Sequence, residues 1–381
     1  MIKKVALVKQ VVYQDLYVCD IKTKDPLEIL YSSIARVGPI GLITEFISDF
    51  IIVDITEDLE TLEYKKVIPF LADELDKLRV MSLNKIKGQE FWEPGSELSN
   101  GHFMQNVDCI NWSNYDLVVG INVPIPARVI KEHKKTLFAY MIGEANMFLD
   151  YPHFNYDVVL TQEIRGVYNS KLGIIDLPYT FLKSNTLSNI INSTDYKKGF
   201  FIEINSISER PVLDAPPIFK KLSKELGIPY YLHKQLIKDN LLQLKQAKYF
   251  IKFGGRPTRG NGALEAISIG CLVLIRKEEI IHNEILLEEL DFQSYIELFE
   301  ILQKLETQHD FYISCLSKQQ SLLNKYCFEI PLNCLNLEFA KKQNYISYKL
   351  SRKYYIIKLN IRKKLIRIFL LIKNKLELIN H

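Results

Sequence analysis

Ten short apolar runs, each bounded by turn residues and spaced by helix-length segments, constrain this chain of 381 residues more than any other feature. Six fall in the first half: "KKVALVKQVV", "FIIVDI", "YDLVVGIN", "TLFAYMIGE", "YDVVLTQE" and "GIIDLPYTF". Runs of that kind, rich in β-branched residues and lacking polar alternation, predict buried parallel strands joined by helical crossovers. A polar stretch, "LKSNTLSNIINSTDYKKG", interrupts the rhythm and reads as a linker. The rhythm then restarts with "FFIEI", "PYYL", "KYFIKF" and "CLVLI". The expectation is an α/β chain with two Rossmann-like domains facing a cleft, residues 1–185 and 196–330. Residues 331–381 are expected to form a helical tail. Residues 85–114 show no period and are expected to form a long loop over the first domain.

Several classes are set aside by composition. Hydrophobic residues make up 48% and charged residues 25%, as in ordinary globular chains. The N-terminus starts as a charged strand rather than a secretion signal, and no apolar run reaches the roughly 20 residues of a membrane span. Six scattered cysteines show neither a CxxC pair nor zinc spacing, so reduced thiols and a cytoplasmic location are expected, with no metal site.

The stretch "GGRPTRGNGALEAISIGCLVLI", Gly254 to Ile275, carries the chemistry. It follows the run "AKYFIKF", so its glycine-rich turn is expected at the carboxyl end of a strand and the amino end of a helix. Ligands of open α/β sheets bind there. Free N–H groups and the helix dipole favour an anion, and Gly260 and Gly262 allow close approach to the backbone. Arg256 and Arg259 can neutralise a diphosphate. Asn261 is a candidate N-cap, and Gly270 the helix stop. Glu265, in an otherwise small and apolar helix, can accept two hydrogen bonds from a vicinal diol such as a ribose. The alternative is an acid favoured by the dipole near a helix start. No Gly-Lys-Ser/Thr follows, so this is not a P-loop.

The segment "NGALEAISIGCLVLI", with the glycine-bearing loop and strand before it, resembles the donor-binding region of GT-B glycosyltransferases. It looks closest to family 4 and exostosin-like members. That resemblance implies a nucleotide-sugar donor, with Glu265 on the ribose. Gly255, Arg256, Thr258, Arg259, Gly260, Asn261 and Gly262 would surround the diphosphate. It also implies a basic residue after the first strand of the donor domain, a position open to Arg210; a solvated loop arginine is the other account of that residue. Family 4 enzymes carry a second glutamate eight residues before the ribose-binding one, where this chain has Pro257. Their first domain ends a strand in histidine, where this chain has Glu144.

GT-B transfer needs no bound metal, because helix dipole and cations can stabilise the leaving diphosphate. An inverting reaction needs a base for the acceptor hydroxyl. Glu144 is the first candidate, with Asp150, His153 and His102 behind it. In a retaining reaction Glu144 would orient the sugar. Lys252, His133 and His233 read as structural.

From Lys341 to His381 there are twelve Lys or Arg and one acid. The first 340 residues hold 37 bases against 44 acids, net −7. Ile361, Leu365, Ile368, Ile372, Leu376 and Ile379 form one helical stripe, with Lys363, Lys364, Arg367, Lys373 and Lys375 around it. A basic amphipathic helix of this kind fits an anionic membrane surface; a helix packed on the acidic body is the other account. A helix near Phe311–Tyr326 is expected to cross back to the first domain, leaving the tail free. The reading is a peripheral-membrane glycosyltransferase acting on a glycan or lipid-linked glycan in cell-surface polysaccharide synthesis, with no nucleic-acid partner. Its rivals are a nucleotide-sugar epimerase of the same fold and a nucleic-acid-binding protein with a non-catalytic core.

Overall fold

The computed structural model describes residues 1–10, 42, 45–55, 64–71, 83–86, 89–92, 110–121, 125, 127–141, 156–161, 174–176, 181–191, 196–203, 215–233, 237–252, 261–280 and 283–344. The apolar runs become strands. In the first half these are β1 (Lys4–Gln10), β2 (Ile47–Ile55), β3 (Tyr64–Leu71), β4 (Leu83–Ile86), β5 (Gln89–Trp92) and β6 (Leu117–Ile121). Helix α1 (Ala127–Glu132) leads into β7 (Leu137–Met141), followed by β8 (Val158–Thr161) and β9 (Ile174–Asp176). Seven of them form one sheet in the order β3-β2-β1-β6-β7-β8-β9. All its pairs are parallel except β2 with the edge strand β3. Every residue of β7 is buried, as expected of a strand covered on both faces.

The second half builds a four-stranded parallel sheet. Helix α2 (Thr186–Ile190) precedes β10 (Phe200–Ile202); α3 (Pro217–Leu226) leads to β11 (Tyr230–Leu232) and α4 (Ile237–Gln246) to β12 (Tyr249–Lys252). Helix α5 (Asn261–Ile269) then leads to β13 (Leu272–Ile275). The order is β11-β10-β12-β13. Alternation along the strands divides the core in two. Phe200, Ile202, Tyr249 and Ile251 pack with Phe219 and Leu222 of α3, whereas Phe201 and Phe250 pack with Ala263, Leu264 and Ile267 of α5. The rings of Phe201 and Phe250 stack at 5.6 Å. Chain entry into β10 requires Gly199, whose φ is +79° and whose Cβ, if present, would lie 2.1 Å from the Pro229 carbonyl oxygen.

Helices α6 (Tyr295–Thr307), α7 (His309–Asn324) and α8 (Ile330–Gln343) close the described chain, with a π-helical turn at Lys325–Glu329 joining the last two. The crossing helix differs from the expectation. Helix α7 stays on the second sheet, where the Gln319 amide donates to the Val273 carbonyl and accepts from the Val273 N–H, both at 2.8 Å. It is α8 that returns to the first sheet. Lys342 Nζ meets both carboxylate oxygens of Asp157 at 2.6 Å, and the Ile2 N–H donates to Asn336 Oδ1 at 2.9 Å. A buried ammonium needs such a partner, and Asp157 at the start of β8 supplies it. Residues 330–343 therefore belong to the packed body, and the tail begins after them.

Two other expectations are corrected. The interdomain linker contains α2, whose Leu187 and Ile191 are buried in the α5-side core. Its Leu187 N–H donates to Ser268 Oγ, so a partner in α5 orders a segment with no helical period of its own. The irregular stretch begins with an antiparallel ribbon of β4 and β5, in which Leu83 pairs with Trp92.

Candidate functional site

The second sheet changes direction between β10 and β12: the chain steps outward to β11, returns to β12 and moves on to β13. Ligands of open parallel sheets bind outside the carboxyl ends of strands at such a point. Three features converge there. Glu203 follows the last residue of β10, Lys252 ends β12, and α5 begins after the glycine-rich loop. Period-two alternation puts Glu203 on the same face as Phe201, and Lys252 on the same face as Phe250, which is the face α5 covers.

The packing there is tight. A Cβ on Gly262 would stand 3.1 Å from Glu203 Oε1 and 3.4 Å from two ring carbons of Phe250. Glycine at 262 lets the helix approach the end of β10 without displacing the Glu203 carboxylate, which any side chain there would push aside by a few tenths of an ångström. Lys252 is fully buried. Glu203 has some solvent contact as a residue, but its Oε2 has none and no hydrogen-bond partner among the described residues. Burial pushes the Glu203 carboxyl above the usual carboxylate range, and the charge of Lys252 pulls the other way. A buried acid beside a buried ammonium forms a dry floor beneath the amino end of a helix.

Of the residues picked out from the sequence, Asn261, Gly262 and Glu265 lie on α5 at this edge. Asn261 is the first residue of the helix rather than the residue before it. Glu265 therefore stands at the fifth position, past the first turn, and is half-buried. The dipole's pull on an acid falls off within the first turn. That weakens the account of Glu265 as an acid placed by the helix start, and it puts Glu265 one turn from Gly262 on the same side. Gly270 stops the helix with φ +89°, as expected. Gly255, Arg256, Thr258, Arg259, Gly260, Arg210, Glu144, His102, Asp150 and His153 lie outside the described residues. His133 follows α1 and shares a hydrogen bond with Ser113 Oγ at 2.8 Å, and His233 follows β11, its ring edge-on to Phe201. Neither is at the carboxyl end of β12. The sequence reading missed Glu203. Its only signal is an acid closing the apolar run "FFIEI". Among the described residues no three His, Cys, Asp or Glu side chains gather as metal ligands would.

No protein-family model and no curated protein matches the chain. Solved structures do. The pneumococcal O-GlcNAc transferase GtfA, solved with UDP and GlcNAc, is 10% identical over 91% of this chain and 99% of its own, with a TM-score of 0.41. T4 phage β-glucosyltransferase is 13% identical over 91% of this chain and 99% of its own, TM-score 0.36. A glycosyltransferase from Rickettsia africae is 12% identical over 92% and 98%, TM-score 0.38. These are distant likenesses, and the site is read from this chain's own residues. The architecture is the GT-B arrangement that the sequence resemblance implies: two largely parallel α/β sheets with a C-terminal helix returning to the first. What fold and site together define is an α/β chain of Rossmann-type sheets whose second sheet has its switch point beside the amino end of α5.

Proposed function

We propose that the chain is a glycosyltransferase that binds a nucleotide-diphosphate sugar in the crevice between β10 and β12. It passes the sugar to a glycan or lipid-linked glycan acceptor in cell-surface polysaccharide synthesis. One observation carries the reading: α5 starts at the carboxyl edge of the switch point, with Gly262 pressed against Glu203 and Glu265 one turn further on. The donor's diphosphate would sit on the amino end of α5 and be neutralised by Arg256 and Arg259, with Arg210 in support. Glu265 would hold the ribose hydroxyls. Glu144, beyond the end of β7, would take the acceptor proton if the reaction inverts, or orient the sugar if it retains. No metal is required in this scheme.

A thermal-shift panel of UDP, GDP, CMP, TDP and ADP tests the reading, since a ligand that binds only the folded chain raises its melting temperature. One of these nucleotides is expected to stabilise the protein. Glu265→Ala should weaken that nucleotide's binding by about 1–3 kcal/mol, the usual cost of a lost charge-assisted hydrogen bond, without unfolding the protein. A panel with no shift at all would overturn the assignment.

A further inference from the structure

A second concavity lies at the opposite edge of the second sheet, and nothing in the donor reading uses it. It encloses about 590 Å³ between α2 and α7, a size typical of small-molecule sites. Its wall includes Tyr196 and Lys197 just before β10, Lys248 just before β12, and Gly270 just before β13. It is therefore at the amino edge, separated from Gly262 by the length of α5, about 13 Å at the usual rise per residue.

Its two lysines suggest an anion site, but their partners argue otherwise. Lys197 Nζ donates to the carbonyls of Leu244 and Lys245, in the last turn of α4, at 3.2 and 3.3 Å. Burial holds this ammonium below the usual lysine range. Lys248 is 2.8 Å from Glu306 and 4.4 Å over the Tyr312 ring. The carboxyl end of α5 also reaches the groove at Ile269 and Gly270. Two helix carboxyl ends repel anions, and the cations beside them are already satisfied. The groove is close to neutral.

The groups left over are of one kind. The side-chain amides of Asn185 and Asn189 and the ring of His309 make no hydrogen bond to any described residue. Asn185 occupies the capping position of α2 with φ +66°, yet its side chain does not cap the helix. Its backbone carbonyl starts the helix, accepting from the Asn189 N–H at 2.9 Å and from Ser188 Oγ at 3.0 Å, which leaves the side-chain amide to meet a ligand. Asn189 lies one turn on, on the same face. Beside them Tyr196 leaves 81% of its surface exposed.

An exposed aromatic face receives the C–H side of a pyranose ring, and planar amides can each give and accept hydrogen bonds with neighbouring hydroxyls. We propose that this groove binds a short segment of a neutral saccharide chain, through Tyr196, Asn185, Asn189 and His309. A saccharide there is held away from the donor crevice, so this site anchors glycan rather than reacting with it.

Saturation-transfer NMR on the full chain tests this with maltotriose, chitotriose and mannotriose, alone and with excess UDP. At least one trisaccharide is expected to bind. Tyr196→Ala and Asn189→Ala should each weaken it about tenfold, with melting temperatures near wild type because both side chains are exposed. UDP should not displace it, and inorganic phosphate should not compete. If Tyr196→Ala melts early, Asn189→Ala decides. The proposal is overturned if no trisaccharide binds, if binding survives both substitutions, or if phosphate competes. Displacement by UDP also overturns it, because the sugar would then occupy the donor crevice. The donor assignment fails separately, when no nucleotide stabilises the fold.

Discussion

Glu203 shows what a single residue contributes and why it was hard to read. Its carboxyl has a raised pKa because burial penalises the charge more than Lys252 relieves it. An acid that holds its proton more tightly when folded contributes most below its ordinary value, near 4.5. That contribution is lost as pH rises through the raised value. Glu203→Gln removes this loss. Melting curves from about pH 4 to about pH 7 should therefore show the variant gaining on wild type as pH rises; a constant difference would mean that the carboxyl titrates alike in folded and unfolded chains. Gly199 gives a plainer case. Any Cβ there meets the Pro229 carbonyl at 2.1 Å with φ already at +79°, so Gly199→Ala should cost about 3 kcal/mol in urea unfolding. The legible part of the site was the local part. Gly262, Glu265 and Gly270 share one strand–loop–helix unit, so spacing places them. Glu203 reaches Gly262 from a strand 59 residues earlier in sequence, and no local pattern connects them.

At the scale of elements, apolar runs were enough to find ten strands and the parallel order of most of them, because a strand covered on both faces has no polar alternation to blur it. The edge strand β3 escaped notice, since "YKKVIPFL" mixes lysines into its run. So did α2, whose five residues are too few for a helical period. Which of two apolar helices crosses to the first sheet was beyond sequence reasoning, because the choice rests on Asp157. This residue is buried, meets Lys342 at 2.6 Å and accepts from the Phe138 N–H at 2.8 Å. Lys342→Met should therefore destabilise the chain by about 3–5 kcal/mol, the cost of leaving one member of a buried pair uncompensated. Adding Asp157→Asn, which keeps an acceptor for the Phe138 N–H, should restore part of the loss. If the double variant is no more stable than Lys342→Met, the charge left behind is not the cause.

Across the whole molecule, charge is divided in sequence at the point where α8 ends. Residues 345–381 carry ten Lys or Arg and one acid, whereas the first 344 residues carry 39 bases and 44 acids. This tail lies outside the described residues, and no helix among those described is long and apolar enough to cross a membrane. The apolar stripe from Ile361 to Ile379, with lysines and arginines around it, motivates binding to an anionic membrane surface, each cation contributing roughly 1 kcal/mol. The position of α8 decides how to test this. A deletion starting at Lys341 would remove Lys342 and with it the partner of Asp157, confusing loss of membrane binding with loss of fold. A chain ending at Asn344 keeps that pair. The full chain should sediment with vesicles containing phosphatidylserine and release them as salt rises, because screening shortens the reach of its charges to about 8 Å at physiological ionic strength. The chain ending at Asn344 should stay in solution while keeping the wild-type melt and the nucleotide-induced shift. Vesicle binding that survives this deletion would place the membrane-facing surface on the body instead. A melt that collapses would place the tail in the core, where its cations would serve the acidic body rather than a lipid surface.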